Sequence, residues 1–595
     1  MDQVKYEREV DERAREIIAA MAERGAQSMW AVHATLAAGG DPGPVTEIVR
    51  RDLSGSTLGL AGAGPFQILP AMLLLCRWEP ELDGEVVRIV HRFFLEGILD
   101  RGNTENHWLM YYVGNLLAAN RWADEPALWN GRPPEAMRAE AGRWILGMIE
   151  RTARIGHHEY DSPGYHIEHM APLIGLYEHT KDARLRAQVE RVLTLLVADM
   201  ALEYFRGSWA GGHSREGYRQ NTWTRSGPIQ TLQYLYFGGE PLDPECHLHG
   251  FAMPAVVASY RPPALFARMA LDRSEPHVVK KTKAPRTIFR HVDRDAAPVR
   301  KYTYMSRSFA LGSSQLGLPG APAGPIDLVS WDLTWHGPRH QAKIGCNHPY
   351  QDPGRFSAFL NPLPQDARRT VGGGKPYLQR PDRLFGASPF ERMMQHEGTI
   401  VILYRIPADD ETPFVNLYLP MSVSWVAQGG WLFADLEGFS VGVRPIGRTA
   451  WEHLRESSND STMVSEGGLI DTWLVRILDA NAGVVLEAVE ASDTGSFTTY
   501  CDRRASLDVD LSRWPGQSHV GVKTLAGRQL DMTYDGPHLV DGVAIDYDAW
   551  PLYDAPGAHG LVDTGITVFR HDEHELTVDF ELDTTKPMMP MRVIG

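Results

Sequence analysis

The stretch "DARLRAQVERVLTLLVADMALEYF", residues 182–205, decides how the first half of the chain folds. Its large apolar residues return every three or four positions, which is the repeat of a helix with one buried face. The members of this stripe are Leu185, Val189, Val192, Leu196 and Met200. The stretch therefore predicts a long amphipathic helix that packs against neighbouring elements.

The same pattern recurs in three other stretches of the first half, residues 84–99, 133–155 and 227–237. Short connections rich in Gly, Pro and Asp separate the helical stretches, as in packed antiparallel helix pairs. We therefore predict a helical domain over residues 1–260.

The sequence pattern changes near residue 260. The stretch "SYRPPALFARMALDRSEPHVVKKTKAPRT" has four prolines and a short basic run, which predicts a linker over 261–286 with the lysines in solvent. Later stretches such as "GTIVILYRIP" and "GFSVGVRPI" are typical of short strands between turns. Residues 287–595 are thus expected to form an antiparallel sandwich or a stack of sheets, and the chain belongs to the α+β multidomain class.

The composition is that of a globular protein. The chain has 595 residues, of which 43% are hydrophobic and 23% are charged, so two or more domains are expected. A formal net charge of -16 argues against a nucleic-acid-binding surface, which would be basic. An anionic substrate is still compatible with this charge, because a local cluster of Arg and His outweighs distant acidic groups.

The cysteines and the amino terminus indicate a cellular compartment. Cys76, Cys246, Cys346 and Cys501 are far apart, which fits reduced thiols and not a disulfide framework or a zinc ribbon. The charged start "MDQVKYEREVDERAREIIAAMAERG" has no apolar core or cleavage site, so we expect a cytoplasmic protein. A chain trimmed of its leader would look the same and would belong to the periplasm or the exterior. No apolar stretch is long enough to span a membrane.

Three segments of the helical half are both polar and aromatic. The first, "RGNTENHWLMYYVGNLLAANRW" (101–122), places Glu105, Asn106 and His107 at the start of a helix that begins near Thr104. The free N–H groups and the positive dipole end of a helix start favour an anion. Alternatively, Thr104 only caps the helix, and the amide side chains of this segment only stabilise a turn.

The second segment is "HHEYDSPGYHIEHMAPLIGLYEHTKD", residues 157–182. Ser162 and Pro163 form a helix start, which puts Tyr165, His166 and His169 in or near its first turn. The segment also raises a metal site, because it clusters His157, His158, His166 and His169 with Glu159, Asp161 and Glu168. The spacing is loose and has no HExxH, so a polar cleft without a metal is the preferred interpretation.

The third segment is the glycine-rich loop "FRGSWAGGHSREGYRQNTWTRSG", residues 205–227. Gly211 and Gly212 would let the backbone approach a ligand closely. The loop offers donors and aromatic rings for a binding site: Trp209, His213, Arg215, Tyr218, Arg219, Asn221, Trp223 and Arg225. Because sites are often built on loops of a rigid scaffold, we predict a substrate site here.

The second half has one histidine-rich segment of its own. It contains His336, Arg339, His340 and His348, with His396 further along the chain. A β domain packed over the helical half would lend one of these side chains to the cleft. Histidines at a sheet edge would give the same sequence, and both interpretations stay open.

The chemistry offered by the three helical segments suits β-elimination next to a uronate. An amide, Arg or His binds the sugar carboxylate and stabilises the charge that develops at C5. A base then removes the C5 proton and an acid protonates the leaving O4. A tyrosine performs either step when a nearby cation lowers its pKa. Such a reaction needs no metal or organic cofactor, and the segments lack a phosphate cradle or a GxSxG elbow.

Several motifs resemble those of polysaccharide lyases built from an (α/α) toroid followed by antiparallel sheets. They are "TENHWLMYYVGNLLAA", "EYDSPGYHIEH", "GGHSREGY", "YTYMSRSFALGS" and "MMQHEGTIVILYRIP". Polysaccharide lyase family 38, which contains alginate and glucuronan lyases, is the most similar family. Alginate-lyase and heparinase II/III-like toroids resemble the chain more distantly.

The resemblance implies roles for individual residues. Asn106 would neutralise the carboxylate, His166 and Arg215 would assist the charge or the base, and Tyr218 would be base and acid, with Tyr165 as its competitor. The implied substrate-binding residues are His107, Glu105, Tyr165, Trp209, His213, Asn221 and Arg219.

Two other functions fit the same sequence. A glycoside hydrolase on a similar toroid needs two carboxylates about 5 to 10 Å apart. Its candidates are Glu105, Glu159, Asp161, Glu168 and Glu216. A carbohydrate-binding protein without catalysis would use the aromatic rings as platforms only. The substrate, the oligomeric state and endo or exo action stay open at this point.

Overall fold

The computed structural model of the chain describes residues 2–54, 64–102, 104–214, 227–284, 298–315, 328–337, 342–350, 381, 386–456 and 470–588. In these ranges a helical half precedes a half of antiparallel sheets, so the predicted fold class is confirmed. No helix in the described ranges is both long enough and apolar enough to cross a bilayer.

The helical half contains the following helices: α1 (Gln3–Arg24), α2 (Val32–Ala37), α3 (Gly43–Ser54), α4 (Pro65–Trp78), α5 (Gly84–Glu96), α6 (Glu105–Arg121), α7 (Pro134–Ile155), α8 (Ile167–His179), α9 (Ala183–Leu202), α10 (Gln230–Phe237), α11 (Pro244–His247), α12 (Met253–Val256) and α13 (Ala264–Leu271). Two more helices lie in the second half, α14 (Ala491–Thr494) and α15 (Phe497–Ser506).

Helix α9 forms where the apolar stripe predicted it. The Asp182 carboxylate caps its start by accepting hydrogen bonds from the backbone N–H groups of Arg184 and Leu185. The predicted stripe is buried, and from Leu193 to Leu202 every residue is buried. Helix α9 therefore begins as a surface helix and ends between α7, α8, α13 and the large sheet.

The strands are short and antiparallel: β1 (Tyr204–Phe205), β2 (Ser208–Trp209), β3 (His277–Lys283), β4 (Val299–Met305), β5 (Phe309–Gln315), β6 (Trp331–Trp335), β7 (Lys343–Asn347), β8 (Glu391–His396), β9 (Thr399–Arg405), β10 (Val415–Pro420), β11 (Val426–Gln428), β12 (Trp431–Leu436), β13 (Phe439–Ile446), β14 (Thr449–Glu456), β15 (Ile470–Ile477), β16 (Asn481–Glu490), β17 (Val509–Asp510), β18 (His519–Lys523), β19 (Gln529–Thr533), β20 (His538–Val540), β21 (Val543–Ala544), β22 (Tyr553–Ala555), β23 (Ala558–Gly560), β24 (Ile566–His571) and β25 (His574–Asp579).

The strands form stacked sheets. Among the described residues, one sheet has the order β14-β15-β10-β7-β6-β5-β4-β3-β22-β23-β24-β25, a second β11-β12-β13-β16-β9-β8, and a third β17-β18-β19-β20-β21. Strand β9 shows why they stack. Its Ile400 and Ile402 enter the core shared with the large sheet, while Val401 and Leu403 enter the core shared with the third sheet.

The segment predicted as a linker contributes to both halves. Its apolar run Ala264–Leu271 forms α13, which packs on α9 and α10, and residues His277–Lys283 form β3 in the large sheet. The basic run is not in solvent, because Lys281 and Lys283 are fully buried. The domain boundaries at residues 260 and 287 stay predictions.

Strands from the far end of the chain complete the helical core. Leu552, Tyr553, Phe569, Val578 and Phe580 belong to the same buried cluster as helices α1, α4, α6 and α9. The helices therefore pack on a sheet whose outer strands come last in the sequence.

Candidate active site

The first segment begins helix α6 with its own cap. Thr104 is the N-cap residue, and its Oγ1 accepts a hydrogen bond from the His107 backbone N–H at 3.1 Å. The capping alternative is thus realised, and Asn106 also lies in the first turn as predicted. His107 is half-buried with its ring edge against Phe66, at 5.3 Å between ring centroids.

The free N–H groups of this helix start hold carboxylates of the second segment. The Asn106 backbone N–H donates to Glu159 Oε2 at 2.9 Å, and its side-chain amide donates to Glu168. Asn106 is fully buried. The position that the sequence analysis gave to a sugar carboxylate is therefore bonded to the protein's own carboxylates, since a helix start binds the nearest anion.

Glu105 and two histidines form a compact buried group beside Asn106. Glu105 Oε2 lies 3.5 Å from His169 Nε2 and 3.9 Å from His157 Nδ1. The His157 and His169 rings meet edge to face at 4.2 Å between centroids. Burial, reinforced by His169, lowers the pKa of His157 well below its ordinary value, so this imidazole is neutral near pH 7.

His166 is held as a neutral acceptor. Its Nε2 lies 3.2 Å from the Leu196 carbonyl oxygen, so we assign the proton to Nε2. The remaining Nδ1 has no hydrogen-bond partner in the described part of the chain. Burial lowers the pKa of His166 to about 3. A neutral ring in this tautomer accepts a hydrogen bond at Nδ1 and does not itself stabilise a negative charge.

Trp209 is a wall of this cluster and not an open platform. Its ring meets His166 edge to face at 4.8 Å between centroids, and its Nε1–H donates to Glu203 Oε2 at 3.1 Å. Trp209 is buried, so its ring faces the protein interior, and its role in binding substrate stays a prediction. Tyr165 is buried as well, and its backbone N–H donates to Ser162 Oγ at 3.0 Å.

The two glycines of the third segment approach the sheet and not a ligand. Gly211 has φ +86°, and a Cβ there would lie 2.9 Å from Thr303 Oγ1 and 3.2 Å from Gly312 Cα. A Cβ on Gly212 would lie 2.6 Å from the Ser314 backbone nitrogen. The backbone at Gly211 and Gly212 therefore approaches strands β4 and β5 closely, and a close approach to a ligand stays a prediction.

The end of this loop joins the site to the β half. The His213 backbone pairs with Val329, and its Nδ1–H donates to the Gly211 carbonyl at 2.8 Å. The next N–H, that of Ser214, donates to the Tyr160 carbonyl at 3.1 Å. The predicted residues Arg215, Tyr218, Arg219 and Asn221, together with Glu216, Trp223 and Arg225, lie outside the described residues.

A buried network of charges, which the sequence analysis missed, lies next to the cluster. It consists of Lys281, Lys283 and Lys301 with Asp161, Asp199 and Glu203, all at most 1% exposed. Lys281 Nζ lies 2.6 Å from Glu203 and 2.9 Å from Asp161. Burial alone would raise the pKa of Asp161, but the three lysines hold it well below its ordinary value. The sequence signal that could have revealed this network is the pair Lys281 and Lys283, which occupy alternate positions of one strand.

The three described histidines among these β-half candidates lie away from this cluster. His348 is buried between Ser388 Oγ at 2.8 Å and Asp410 Oδ1 at 3.2 Å, which makes it an anchor of its own loop. His336 is half-exposed and lies 3.6 Å from Glu240. His396 lines a separate cavity of about 940 Å³ with Lys280 and Trp550. Arg339 and His340 lie outside the described residues.

Comparison with known proteins gives structural likeness only. No protein-family model and no curated protein matches the chain. A heparan sulfate lyase from Pedobacter heparinus is 10% identical with TM-score 0.36, covering 87% of this chain and 82% of that one. A heparinase III is 9% identical with TM-score 0.36, covering 89% and 82%. A chondroitin AC lyase mutant from Streptomyces coelicolor A3 is 11% identical with TM-score 0.39, covering 95% and 88%. At these values the likeness carries no inference about activity.

Proposed function

We propose that the chain is a polysaccharide lyase that cleaves uronate-containing glycans by β-elimination and leaves a 4,5-unsaturated uronate. The observation that supports the proposal is the meeting of the three polar segments. Asn106 is bonded to the second segment, and the His166 ring of that segment packs on Trp209 of the third. Side chains that are some 100 positions apart in sequence thereby share one cluster.

His166 suits a supporting role for a base. Its Nδ1 accepts a hydrogen bond, and burial keeps the ring neutral at working pH. In the proposed reaction His166 assists the base, while Arg215 stabilises the developing charge and Tyr218 transfers the protons. Arg215 follows Ser214 directly in the sequence and Tyr218 comes four positions after it, and the Ser214 N–H donates to the Tyr160 carbonyl.

Asn106 takes a modified role in this proposal. Its amide donates to Glu168 when no substrate is bound. For Asn106 to neutralise a sugar carboxylate, the substrate must replace Glu168 as the acceptor. Asn106→Asp would set a like charge against both the substrate and Glu168, and so would abolish turnover.

One observation favours a second candidate, a glycoside hydrolase. Glu105, Glu159 and Glu168 lie around a single residue, because Asn106 bonds Glu159 and Glu168 and the Glu159 N–H donates to Glu105 at 3.2 Å. Paired carboxylates are the machinery of glycosidases. A sequence resemblance to polysaccharide lyase family 38 supports the lyase instead.

The decisive experiment follows ultraviolet absorbance while the protein acts on separate uronate polymers. The panel contains alginate blocks, glucuronan, hyaluronan, chondroitin, heparan sulfate and pectate. Elimination creates a C=C conjugated with the carboxylate, so absorbance rises with the true substrate. New reducing ends without absorbance would replace the lyase by the hydrolase. Binding of a polymer without new reducing ends would indicate a carbohydrate-binding protein without catalysis.

Single Tyr→Phe substitutions test whether Tyr218 or Tyr165 transfers the protons. We expect Tyr218→Phe to lower kcat by about 10²- to 10⁴-fold while substrate binding is kept, because a phenyl ring cannot transfer a proton. Tyr177→Phe is the matched control, since Tyr177 packs on Tyr260 outside the cluster. If Tyr165→Phe abolishes turnover and Tyr218→Phe does not, the roles are exchanged.

A further inference from the structure

Glu105, His157 and His169 present three ligand atoms to one point. One carboxylate oxygen and one nitrogen of each ring all lie within 4.8 Å of one another. Ligand atoms around a tetrahedral zinc ion are about 3.3 Å apart, because the metal–ligand bonds are about 2.0 Å long. The separations from Glu105 Oε2 are 3.5 and 3.9 Å and the third separation is at most 4.8 Å, so side-chain rotations that draw the three atoms together would reach that geometry.

The hydrogen bonds of His169 leave a lone pair facing the carboxylate. Its Nδ1 lies 3.3 Å from the Tyr165 carbonyl oxygen, which accepts the ring proton. Its Nε2 then carries a lone pair that lies 3.5 Å from Glu105 Oε2 and has no hydrogen-bond partner in the described part of the chain. A backbone carbonyl on the far nitrogen is the usual arrangement around a metal-binding histidine, because it fixes the tautomer and orients the ring.

His157 gives an independent observation. Neither of its ring nitrogens has a hydrogen-bond partner among the described residues, although the side chain is 1% exposed. A buried imidazole without partners loses its hydration with no compensation. A cation between His157, His169 and Glu105 would bond one nitrogen of each ring and one oxygen of the carboxylate.

We propose that Glu105, His157 and His169 bind a divalent metal ion of the zinc class. Two imidazole nitrogens and one carboxylate oxygen are a ligand set that zinc accepts, with a fourth position for water or another oxygen. Glu159 is the candidate fourth ligand, since its Oε2 lies 3.8 Å from His169 Nε2. The ion ties the start of α6 to the 156–166 segment and to the first turn of α8, independently of whether the chain is a lyase.

The first test needs no variant. The full chain is purified without chelators or an affinity tag that binds metal, and its metal content is measured by mass spectrometry. We expect about one zinc-class ion per chain. A chelator should lower the melting temperature and added Zn²⁺ should restore it. Protein that carries no metal and whose melting temperature ignores both chelator and Zn²⁺ would overturn the proposal.

The second test locates the site. We expect His169→Gln and Glu105→Gln to weaken Zn²⁺ binding, measured by competition with a chromophoric chelator, by more than about 100-fold, which exceeds the usual loss from an outer-shell change. His33→Gln is the control, because His33 is equally buried in the helical half and bonds only to Trp78. Co²⁺ in the wild-type protein should give the visible absorption of a tetrahedral site, and Glu105→Gln should change it. Equal Zn²⁺ affinity in the wild type and both site variants would place the metal elsewhere and refute the assignment.

Discussion

At the residue scale, Gly211 lies directly against the sheet, where a Cβ would be 2.9 Å from Thr303 Oγ1. We expect Gly211→Ala to lower the free energy of unfolding by about 1–3 kcal/mol, because alanine at φ +86° is strained and its Cβ meets Thr303 and Gly312. Gly142→Ala in helix α7 is the opposite case, since a Cβ there has no atom within 4 Å. It should stabilise by about 0.5–1 kcal/mol. Chemical denaturation measures both, and equal effects would contradict the assigned packing.

At the scale of elements, strands β3 and β4 bring like charges together. Their register sets Lys281 directly opposite Lys301, which is unfavourable on its own. Asp161 and Glu203 lie between the two lysines and make the pairing favourable. The network thus fastens the helical half to the sheet, with charges taken from α9, from the 156–166 segment and from both strands.

Removing one member of this network should cost far more than removing a surface charge. We expect Lys281→Met to lower the free energy of unfolding by about 3–5 kcal/mol, because buried carboxylates lose their compensation. Adding Glu203→Gln should recover part of the loss. Arg448→Met removes an exposed ion pair with Asp479 and should cost at most about 1 kcal/mol. Similar losses in Lys281→Met and Arg448→Met, measured in urea, would show that the network contributes little.

At the scale of the whole molecule, buried neutral histidines make the fold sensitive to acid. Burial lowers the pKa of His33 to about 3 and those of His213 and His538 to about 4, with the unfolded value near 6.5. Below pH 6.5 the unfolded chain therefore binds more protons than the folded chain. Stability is complete above that pH and falls as pH drops towards 4.

We expect each of these histidines to contribute a slope of about 1.4 kcal/mol per pH unit between its folded and unfolded pKa values. Urea denaturation at several pH values from 7.5 to 4.5 measures the total slope. His33→Gln should lower the slope by about 1.4 kcal/mol per pH unit, the contribution of one proton, because glutamine does not titrate. A slope unchanged by this substitution would mean that His33 is already protonated in the folded state.

Local signals in the sequence predicted much of this architecture. The stripe of residues 185–200 and the alternation in strands such as β9 are local, so helix α9 and the stacked sheets were predictable. The cap at Thr104 followed from a local signal too. The sequence analysis did not predict which charged side chains are buried. Lys281 and Lys283 were predicted in solvent, because only pairing with β4 and contact with α9 make them buried.

The same limit applies within the site. Glu105 and His157 are 52 positions apart, and no local pattern joins them to His169. Asn106 was predicted to bind a sugar carboxylate because its helix start attracts anions. The attraction was predicted correctly, but the chain supplies the anions itself through Glu159 and Glu168.

The contribution of the last strands to the helical core has a consequence for biosynthesis. Helix α13 ends at Leu271, whereas the core residues Leu552, Phe569 and Val578 come far later. At the usual speed of a ribosome, roughly 280 residues take about 15 to 60 s to synthesise. During that interval the nascent helical half exposes an apolar surface that the outer strands later cover. Chaperones are the means by which a cell protects such a surface from aggregation. A ribosome that stalls in the second half would leave a first half that has its helices but not its complete core.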